Sequence, residues 1–215
     1  TSHTAILAAQ LGIAAIVQAV GILVGPFGTM VALDGGVGDN VIDPSGHEQH
    51  SLLDRNAPRE KALAARSVKG MTKDGHPVQL LANIGSAADA RKAAAQDVEG
   101  VGLFRSEFLF LDRDTAPTVD EQTATYTEVL EAFGDRKVVV RTLDAGADKP
   151  LAFADLGHEE NPALGRRGIR LGAVRTDLLD DQLQALANAY QATNANLWVM
   201  APMIATRQEA AWFAE

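Results

Sequence analysis

From about residue 70 onward, apolar runs of strand length alternate with amphipathic stretches of helical length. Strands that are apolar on both faces and alternate with amphipathic helices are typical of a parallel sheet with right-handed crossovers. Several such strand-helix steps favour the first half of an eight-stranded (β/α)8 barrel, and an open doubly wound sheet is the alternative. The predicted strands cover residues 77–84, 101–104, 137–140 and 197–200.

Capping residues mark the helices between these strands. The pair Thr118 and Glu121 forms a capping box that begins a helix ending at Gly134. Thr176 and Thr206 each begin a further helix, and a shorter helix is predicted after the first strand.

Residues 1–46 show a different pattern, that of a short helix followed by a small sheet-rich unit. Apolar runs at 13–17 and 31–33 are short, and Asp34–Gly36 has the composition of a turn that leads to a second strand at 41–42. The chain begins with Thr1 in a helix already under way, so we expect it to be a piece of a longer protein.

Residues 47–66 are polar with a helical pattern, and Asn56 is a candidate cap near Pro58. We therefore predict three parts: residues 1–46, a helical connector at 47–69, and an α/β unit at 70–215.

The apolar stretch at residues 11–33 is long enough to span a bilayer. Several glycines and Pro26 divide it into pieces of strand length, and no lysine or arginine precedes Arg55. We therefore expect a buried sheet here and no membrane insertion.

Composition excludes further classes of function. The chain has 19 basic and 28 acidic residues and a net charge of -9, which argues against nucleic acid as a partner. It contains no cysteine, which excludes a disulfide framework, a thiolate nucleophile and a cysteine metal site, and favours the cytoplasm. No phosphate-binding glycine loop or dinucleotide fingerprint is present.

His3 is a candidate nucleophile because it lies in the first turn of the predicted N-terminal helix. The helix dipole there favours a neutral imidazole and would stabilise a phosphoryl group on its nitrogen. Spacing alone leaves two interpretations open, an exposed residue at a helix start and a nucleophile. The other histidines, at 47, 50, 76 and 158, have no ligand spacing, and we expect them at the surface.

Arg105 and Arg141 each close an apolar strand. In a barrel the carboxyl ends of the strands face the active site, so two guanidiniums at these positions could clamp a carboxylate or a phosphate. The alternative is a set of ion pairs at the rim with Glu107, Asp144 or Asp148, and the sequence leaves both interpretations open.

Four motifs carry a resemblance to a known family. They are TSHTAILAAQLGIAAIV at 1–17, VEGVGLFRSEFLFLDRDTAPT at 98–118, VVVRTLDAGADKPL at 138–151 and ENPALGRRGIRL at 160–171. In this order and spacing they resemble phosphoenolpyruvate-protein phosphotransferase, enzyme I of the bacterial sugar phosphotransferase system. Ser106 stands where threonine is usual, Ala147 where the family generally has a second glycine, and Arg166 where tryptophan is common.

The resemblance implies a role for each candidate residue. His3 would be the phosphorylated histidine of a swivelling phosphohistidine domain, whose C-terminal part is residues 1–46. Arg105, Arg141 and Arg167 would bind phosphoenolpyruvate at the mouth of a TIM-type barrel, whose N-terminal half is residues 70–215. The phosphoryl group would pass from phosphoenolpyruvate to His3 and then to a histidine phosphocarrier protein, as the first step of sugar uptake.

The resemblance also implies what lies outside this chain. The domain that docks the carrier would precede Thr1, and the Mg²⁺ ligands and a cysteine acid would follow Glu215, so no metal ligand is expected here. The family forms homodimers through the complete barrel and is cytoplasmic.

Two other interpretations follow from the same residues. A pyruvate phosphate dikinase or phosphoenolpyruvate synthase shares the histidine domain and the barrel but needs an ATP-binding domain upstream. The chain by itself is expected to be inactive, because the metal ligands would follow Glu215 and an open half barrel cannot exclude water, and its exposed sheet edge would favour aggregation.

Overall fold

The computed structural model describes residues 8, 13–17, 19, 26–64, 69–146, 151–154 and 157–215, with backbone only for 56–64. His3, Ala147 and Asp148 lie outside the described residues, as does the start of the predicted N-terminal helix. Contacts divide the chain into two units, Thr1–Ser67 and Val68–Glu215. The predicted boundaries at 46/47 and 69/70 remain predictions.

In the first unit, strands β1 (Val31–Asp34) and β2 (Asp39–Ile42) form an antiparallel hairpin. The predicted turn is confirmed, and the Asp34 carboxylate accepts a hydrogen bond from the Gly36 amide at 2.9 Å. Residues 13–17 form no strand, although their apolar pattern predicted part of a sheet.

Helix α1 (Gly46–Ala64) occupies most of the predicted connector. Asn56 as its cap is wrong, because the helix begins well before that residue. A capping box at Ser45 starts the helix: Ser45 N–H donates to the Glu48 carboxylate at 2.8 Å, and Glu48 N–H donates to Ser45 Oγ at 3.3 Å.

The second unit begins with two short antiparallel strands, β3 (Gly70–Met71) and β4 (Pro77–Val78). A four-stranded parallel sheet follows, made of β5 (Leu81–Ile84), β6 (Gly100–Arg105), β7 (Lys137–Arg141) and β8 (Leu197–Met200) in that spatial order. Its helices are α2 (Ala87–Ala94), α3 (Val119–Phe133), α4 (Ile169–Val174), α5 (Thr176–Thr193) and α6 (Arg207–Ala214). The mixed α/β class with a parallel sheet is confirmed.

The single strand predicted at 77–84 is wrong, because this segment pairs with two different partners. Val78 pairs with Gly70 in the small sheet, whereas Leu81 pairs with Gly100 in the large one. Between them, Leu80 N–H donates to the Glu99 carboxylate at 2.8 Å. Glu99 therefore takes up a backbone donor at the point where the strand breaks.

Helices α3 and α5 pack with the sheet around a common apolar core. Phe104 and Tyr126 meet edge to face, with ring centroids 6.1 Å apart. The capping box of Thr118 with Glu121 and the helix end at Gly134 are confirmed, and Thr206 caps α6 as predicted. Thr176 as the cap of α5 is wrong, because Thr176 is the first helical residue and the helix begins without a side-chain cap. Within the described residues, no helix combines the length and the apolar composition needed to cross a membrane.

Arg136 connects the ends of two helices below the sheet. Its guanidinium donates to the carbonyl of Ala94, the last residue of α2, and to that of Val98, which follows the helix. It also donates to the carbonyl of Ala132 in the last turn of α3, and all these distances are 3.2–3.3 Å. It also lies over the Phe133 ring, 4.7 Å from the centroid. A cation suits this place because carbonyls at helix ends lack partners within the helix.

Replacing Arg136 by methionine is expected to lower the free energy of unfolding by about 2 kcal/mol, because several half-buried carbonyls lose their donor. Urea denaturation of the 215-residue chain measures this. Arg113→Met is the control, since within the described residues Arg113 pairs only with the exposed Glu121, at 3.0 Å, and its loss should shift the midpoint far less. Equal shifts would show that Arg136 is no more than a surface cation.

Candidate functional site

The two strand-end arginines lie side by side at one edge of the sheet. Arg105 is the last residue of β6 and Arg141 the last of β7, and the two are register partners in the parallel ladder. Because parallel strands end at the same edge, both side chains belong to the carboxyl edge, where α/β sheets place their ligands. The sequence predicted this juxtaposition, and the structure shows it.

Arg141 is held by two buried carboxylates. It donates to Glu107 at 2.6 Å and lies 3.4 Å from an oxygen of Asp144. The other Asp144 oxygen accepts from Arg167 Nε at 2.9 Å. Asp144 therefore bridges two of the predicted binding arginines and brings Arg167, from the segment before α4, to Arg141.

Arg105 differs from Arg141 in having no acidic partner among the residues that the structure describes. Its guanidinium lies over the Phe108 ring, 5.1 Å from the centroid, and its buried Nε, like that of Arg141, has no hydrogen-bond partner. The cation is therefore oriented by an aromatic ring while its donors stay available to a ligand.

The two interpretations of the arginine pair, an anion clamp and a set of rim ion pairs, thus apply differently to Arg105 and Arg141. Glu107 and Asp144 form the rim ion pairs that were considered, but they form them with Arg141 and not with Arg105. Asp148, the third acid considered, lies outside the described residues.

The segment that carries Arg167 is fixed by a glycine and by Arg170. Gly168 has a φ of +55°, and a Cβ there would lie 2.9 Å from the Pro202 carbonyl oxygen, so only glycine fits. Arg170 donates to the Leu164 carbonyl at 2.9 Å and to Glu209 at 3.2 Å. Arg170 therefore braces this segment against the start of α6.

Sequence reasoning missed Gln182, which is fully buried in α5 and donates to Ser106. A signal existed: Leu178, Gln182 and Leu186 recur at intervals of four on the buried face of the helix. A lone amide in such an apolar stripe indicates a specific buried partner.

The described part of the chain holds no group of three or more His, Asp or Glu side chains arranged for a metal ion. Glu107 and Asp144, the acids nearest the arginines, are ion-paired with them. These residues do not by themselves form a magnesium site. What they form is a cationic edge suited to an anion with more than one charged group, because planar guanidiniums bind carboxylate and phosphate through two donors.

Comparison with known proteins places this edge in a family context. Residues 59–215 match the model of the PEP-utilising enzyme, PEP-binding domain, and residues 1–38 match that of the PEP-utilising enzyme, mobile domain. The chain is 50% identical to a phosphoenolpyruvate-protein phosphotransferase of Streptomyces coelicolor over 216 residues, which is all of this chain and 39% of that protein.

Two further relatives cover 97% of this chain. A phosphoenolpyruvate-protein phosphotransferase of Haloferax volcanii is 45% identical, with 37% of its length covered. A multiphosphoryl transfer protein of Xanthomonas campestris is 42% identical, with 25% of its length covered. The chain thus spans well under half of the curated relatives it matches. Its matched domains and its identity to these relatives show that the chain belongs to the PEP-utilising enzymes and resembles phosphoenolpyruvate-protein phosphotransferases throughout its length.

Proposed function

We propose that this chain is part of an enzyme that transfers the phosphoryl group of phosphoenolpyruvate to its own His3 and then to a histidine phosphocarrier protein. The observation that carries the proposal is the register pair Arg105 and Arg141, joined by Arg167 through Asp144, within the residues that match the PEP-binding domain. Phosphoenolpyruvate has a carboxylate and a phosphate, and three guanidiniums at one sheet edge can bind both.

The proposed transfer breaks the bond between phosphorus and the enol oxygen and forms a bond between phosphorus and an imidazole nitrogen of His3. The enolate that leaves takes up a proton and becomes pyruvate. Catalysis of this kind depends on positioning and on charge neutralisation, and the covalent phosphohistidine divides the overall transfer into two steps. In this proposal the arginines bind and orient the substrate. The family implies Mg²⁺ as a further cation, with ligands beyond Glu215.

The domain layout belongs to the same proposal. Residues 1–46 would be the C-terminal part of a swivelling phosphohistidine domain, 47–69 a helical connector, and 70–215 the N-terminal half of a TIM-type barrel. The sequential strand order β5-β6-β7-β8 supports the barrel, since a doubly wound sheet reverses its order at a switch point. The mobile-domain match at 1–38 supports the assignment of His3.

Sugar uptake, a cytoplasmic location and a homodimer formed by the complete barrel complete the proposal. The names of the relatives support the sugar-system enzyme over a pyruvate phosphate dikinase or a phosphoenolpyruvate synthase.

The test uses the protein expressed from its complete coding sequence, with phosphate-labelled phosphoenolpyruvate, Mg²⁺ and a purified histidine phosphocarrier. We expect acid-labile, alkali-stable label on the enzyme, release of pyruvate, and passage of the label to the carrier. Labelling that instead requires ATP or pyrophosphate would favour the dikinase.

The 215-residue chain alone is expected to release no pyruvate from phosphoenolpyruvate with Mg²⁺, because the metal ligands that the family implies would follow Glu215. Its described residues hold no group of three or more His, Asp or Glu side chains arranged for a metal ion. A coupled assay of pyruvate measures this against the complete protein. Turnover comparable to that of the complete protein would place metal ligands within this chain, with Glu107, Asp144 and Asp148 the first to be tested.

A further inference from the structure

A series of buried hydrogen bonds connects helix α5 with the end of β7. Gln182, which is 0% exposed, lies at its centre. Its Oε1 accepts from the Leu143 amide at 2.8 Å, and its Nε2 donates to Ser106 Oγ at 3.0 Å and to Tyr126 Oη at 2.8 Å. One side chain therefore joins two strand ends and helix α3 to helix α5.

The chemistry of these partners fixes the orientation of the Gln182 amide. A backbone N–H can only donate, so the atom that faces Leu143 is the oxygen. Both protons of the Gln182 NH2 group are then used by the two hydroxyls. A glutamate at this position would lack these donors and a leucine would lack every polar contact, so the arrangement requires glutamine.

Ser106 connects Gln182 to the backbone of Arg141. Its hydroxyl accepts from Gln182 and donates to the Arg141 carbonyl at 2.6 Å. The Thr142 amide donates to the Met200 carbonyl at 2.9 Å. The backbone of residues 141–143 is thus held at three successive points, two of which depend on Gln182.

The same hydroxyl acts on the neighbouring strand end. Ser106 follows Arg105 and precedes Glu107, the carboxylate that binds the Arg141 guanidinium. A bond from Ser106 to the Arg141 carbonyl therefore fixes the end of β6 against the end of β7. This bond adds a side-chain contact to the ladder pairing that holds Arg105 beside Arg141.

We infer that Gln182, acting through Ser106 and Leu143, is a positioning residue that sets the spacing of Arg105 and Arg141 for a substrate with two anionic groups. This inference rests on the proposed function. Neither Gln182 nor Ser106 need touch the substrate, because their contacts are to the peptides that carry the arginines.

The other half of the network provides a matched control. Tyr126 Oη donates to Gln122 Oε1 at 3.3 Å, and Gln122 Nε2 donates to the Pro117 carbonyl at 3.1 Å. Burial raises the pKa of the Tyr126 hydroxyl above its ordinary value, so it stays protonated and can donate. Gln122 is as buried as Gln182 but has no hydrogen bond to residues 105–107 or 141–143.

The experiment compares Gln182→Leu with Gln122→Leu in the complete protein, at a temperature where urea denaturation shows both to be folded. We expect Gln182→Leu to raise KM for phosphoenolpyruvate by about tenfold or more, since small misplacements of binding groups are costly. Gln122→Leu should lower stability to a similar extent and leave KM within about twofold. Equal effects of both variants on KM, or no effect of Gln182→Leu, would overturn the inference.

A second pair of variants applies should Gln182→Leu fail to fold. Ser106→Ala removes the hydroxyl that links Gln182 to Arg141. Ser106→Thr retains this hydroxyl, and threonine is the usual residue at this position in the family that the chain resembles. We expect Ser106→Ala to raise KM in the same way and Ser106→Thr to keep it near that of the parent protein. An unchanged KM in Ser106→Ala would contradict the positioning role.

Arg141→Lys in the same assay separates failure of the inference from failure of the proposed function. Weakened use of phosphoenolpyruvate by Arg141→Lys, with Gln182→Leu and Ser106→Ala unchanged, would overturn the positioning role alone. An unchanged KM and kcat in Arg141→Lys would instead overturn the role of Arg141 in substrate binding, and the proposed function with it.

Discussion

Replacing His3 by alanine is expected to abolish labelling by phosphoenolpyruvate. Because the covalent nucleophile is removed, the rate of labelling should fall to below about a thousandth of that of the parent protein. Alanine has no nitrogen on which a phosphoryl group can be carried, and no neighbouring residue type in this stretch forms a comparable acid-labile bond. The loss should spare the fold, because His3 is predicted in an exposed first helical turn. The measurement is acid-labile label on the complete protein.

His76→Ala is the control for this experiment, since His76 is exposed in the turn between β3 and β4. It should be labelled like the parent protein. Acid-labile, alkali-stable label that persists in His3→Ala and is lost in His76→Ala would reassign the phosphorylated residue.

The strands and helices of the second unit could be predicted because local sequence determines them. Capping residues at Thr118 and Thr206 satisfy backbone donors within one turn, and the structure shows both capping boxes. The apolar runs that predicted β6, β7 and β8 are recognisable from local sequence, whichever strand lies beside them. The edge shared by Arg105 and Arg141 followed from parallel topology alone.

The failures have a common cause in partners that are distant in sequence. The break in the strand at 77–84 depends on Glu99, which binds the Leu80 amide, and on Gly70, which pairs with Val78. The start of α1 is an exception. Ser45 and Glu48 carry a local capping signal, and Asn56 was preferred because Pro58 suggested a first helical turn.

The site shows the same division. The sequence identified the arginines and Glu107 and Asp144 as possible ion-pair partners. It could not show that both acids pair with Arg141 while Arg105 has no acidic partner in the described part of the chain. Gln182 lies 76 residues beyond Ser106, and only the packing of α5 brings them together. Spacing can place a residue at a sheet edge, but the pairing of its charge depends on the tertiary structure.

Arg105→Lys and Arg141→Lys in the complete protein are each expected to lower kcat/KM for phosphoenolpyruvate about a hundredfold, or roughly 3 kcal/mol of transition-state stabilisation. An ammonium cannot reproduce the two-point contact of a planar guanidinium. Near-normal kinetics in both variants would mean that neither arginine binds phosphoenolpyruvate and that Arg141 serves only the rim ion pairs.

The free energy of unfolding should distinguish Arg105 from Arg141, although kcat/KM for phosphoenolpyruvate should not. Arg141→Met removes one cationic partner from Glu107, which is 1% exposed, and one from Asp144, which keeps Arg167, so we expect the free energy of unfolding to fall by about 3 kcal/mol. Arg105→Met removes only a stacking contact with Phe108 and should cost less than about 1 kcal/mol. Urea denaturation of the 215-residue chain measures both.

A large loss of stability in Arg105→Met would reveal a structural partner for the Arg105 guanidinium. A small loss of stability in Arg141→Met would show that Glu107 and Asp144 are stable at this edge without Arg141. We therefore expect the two substitutions to lower kcat/KM by similar factors but to lower the free energy of unfolding by different amounts. This difference distinguishes Arg141, which also stabilises the fold, from Arg105, whose donors stay available to a ligand.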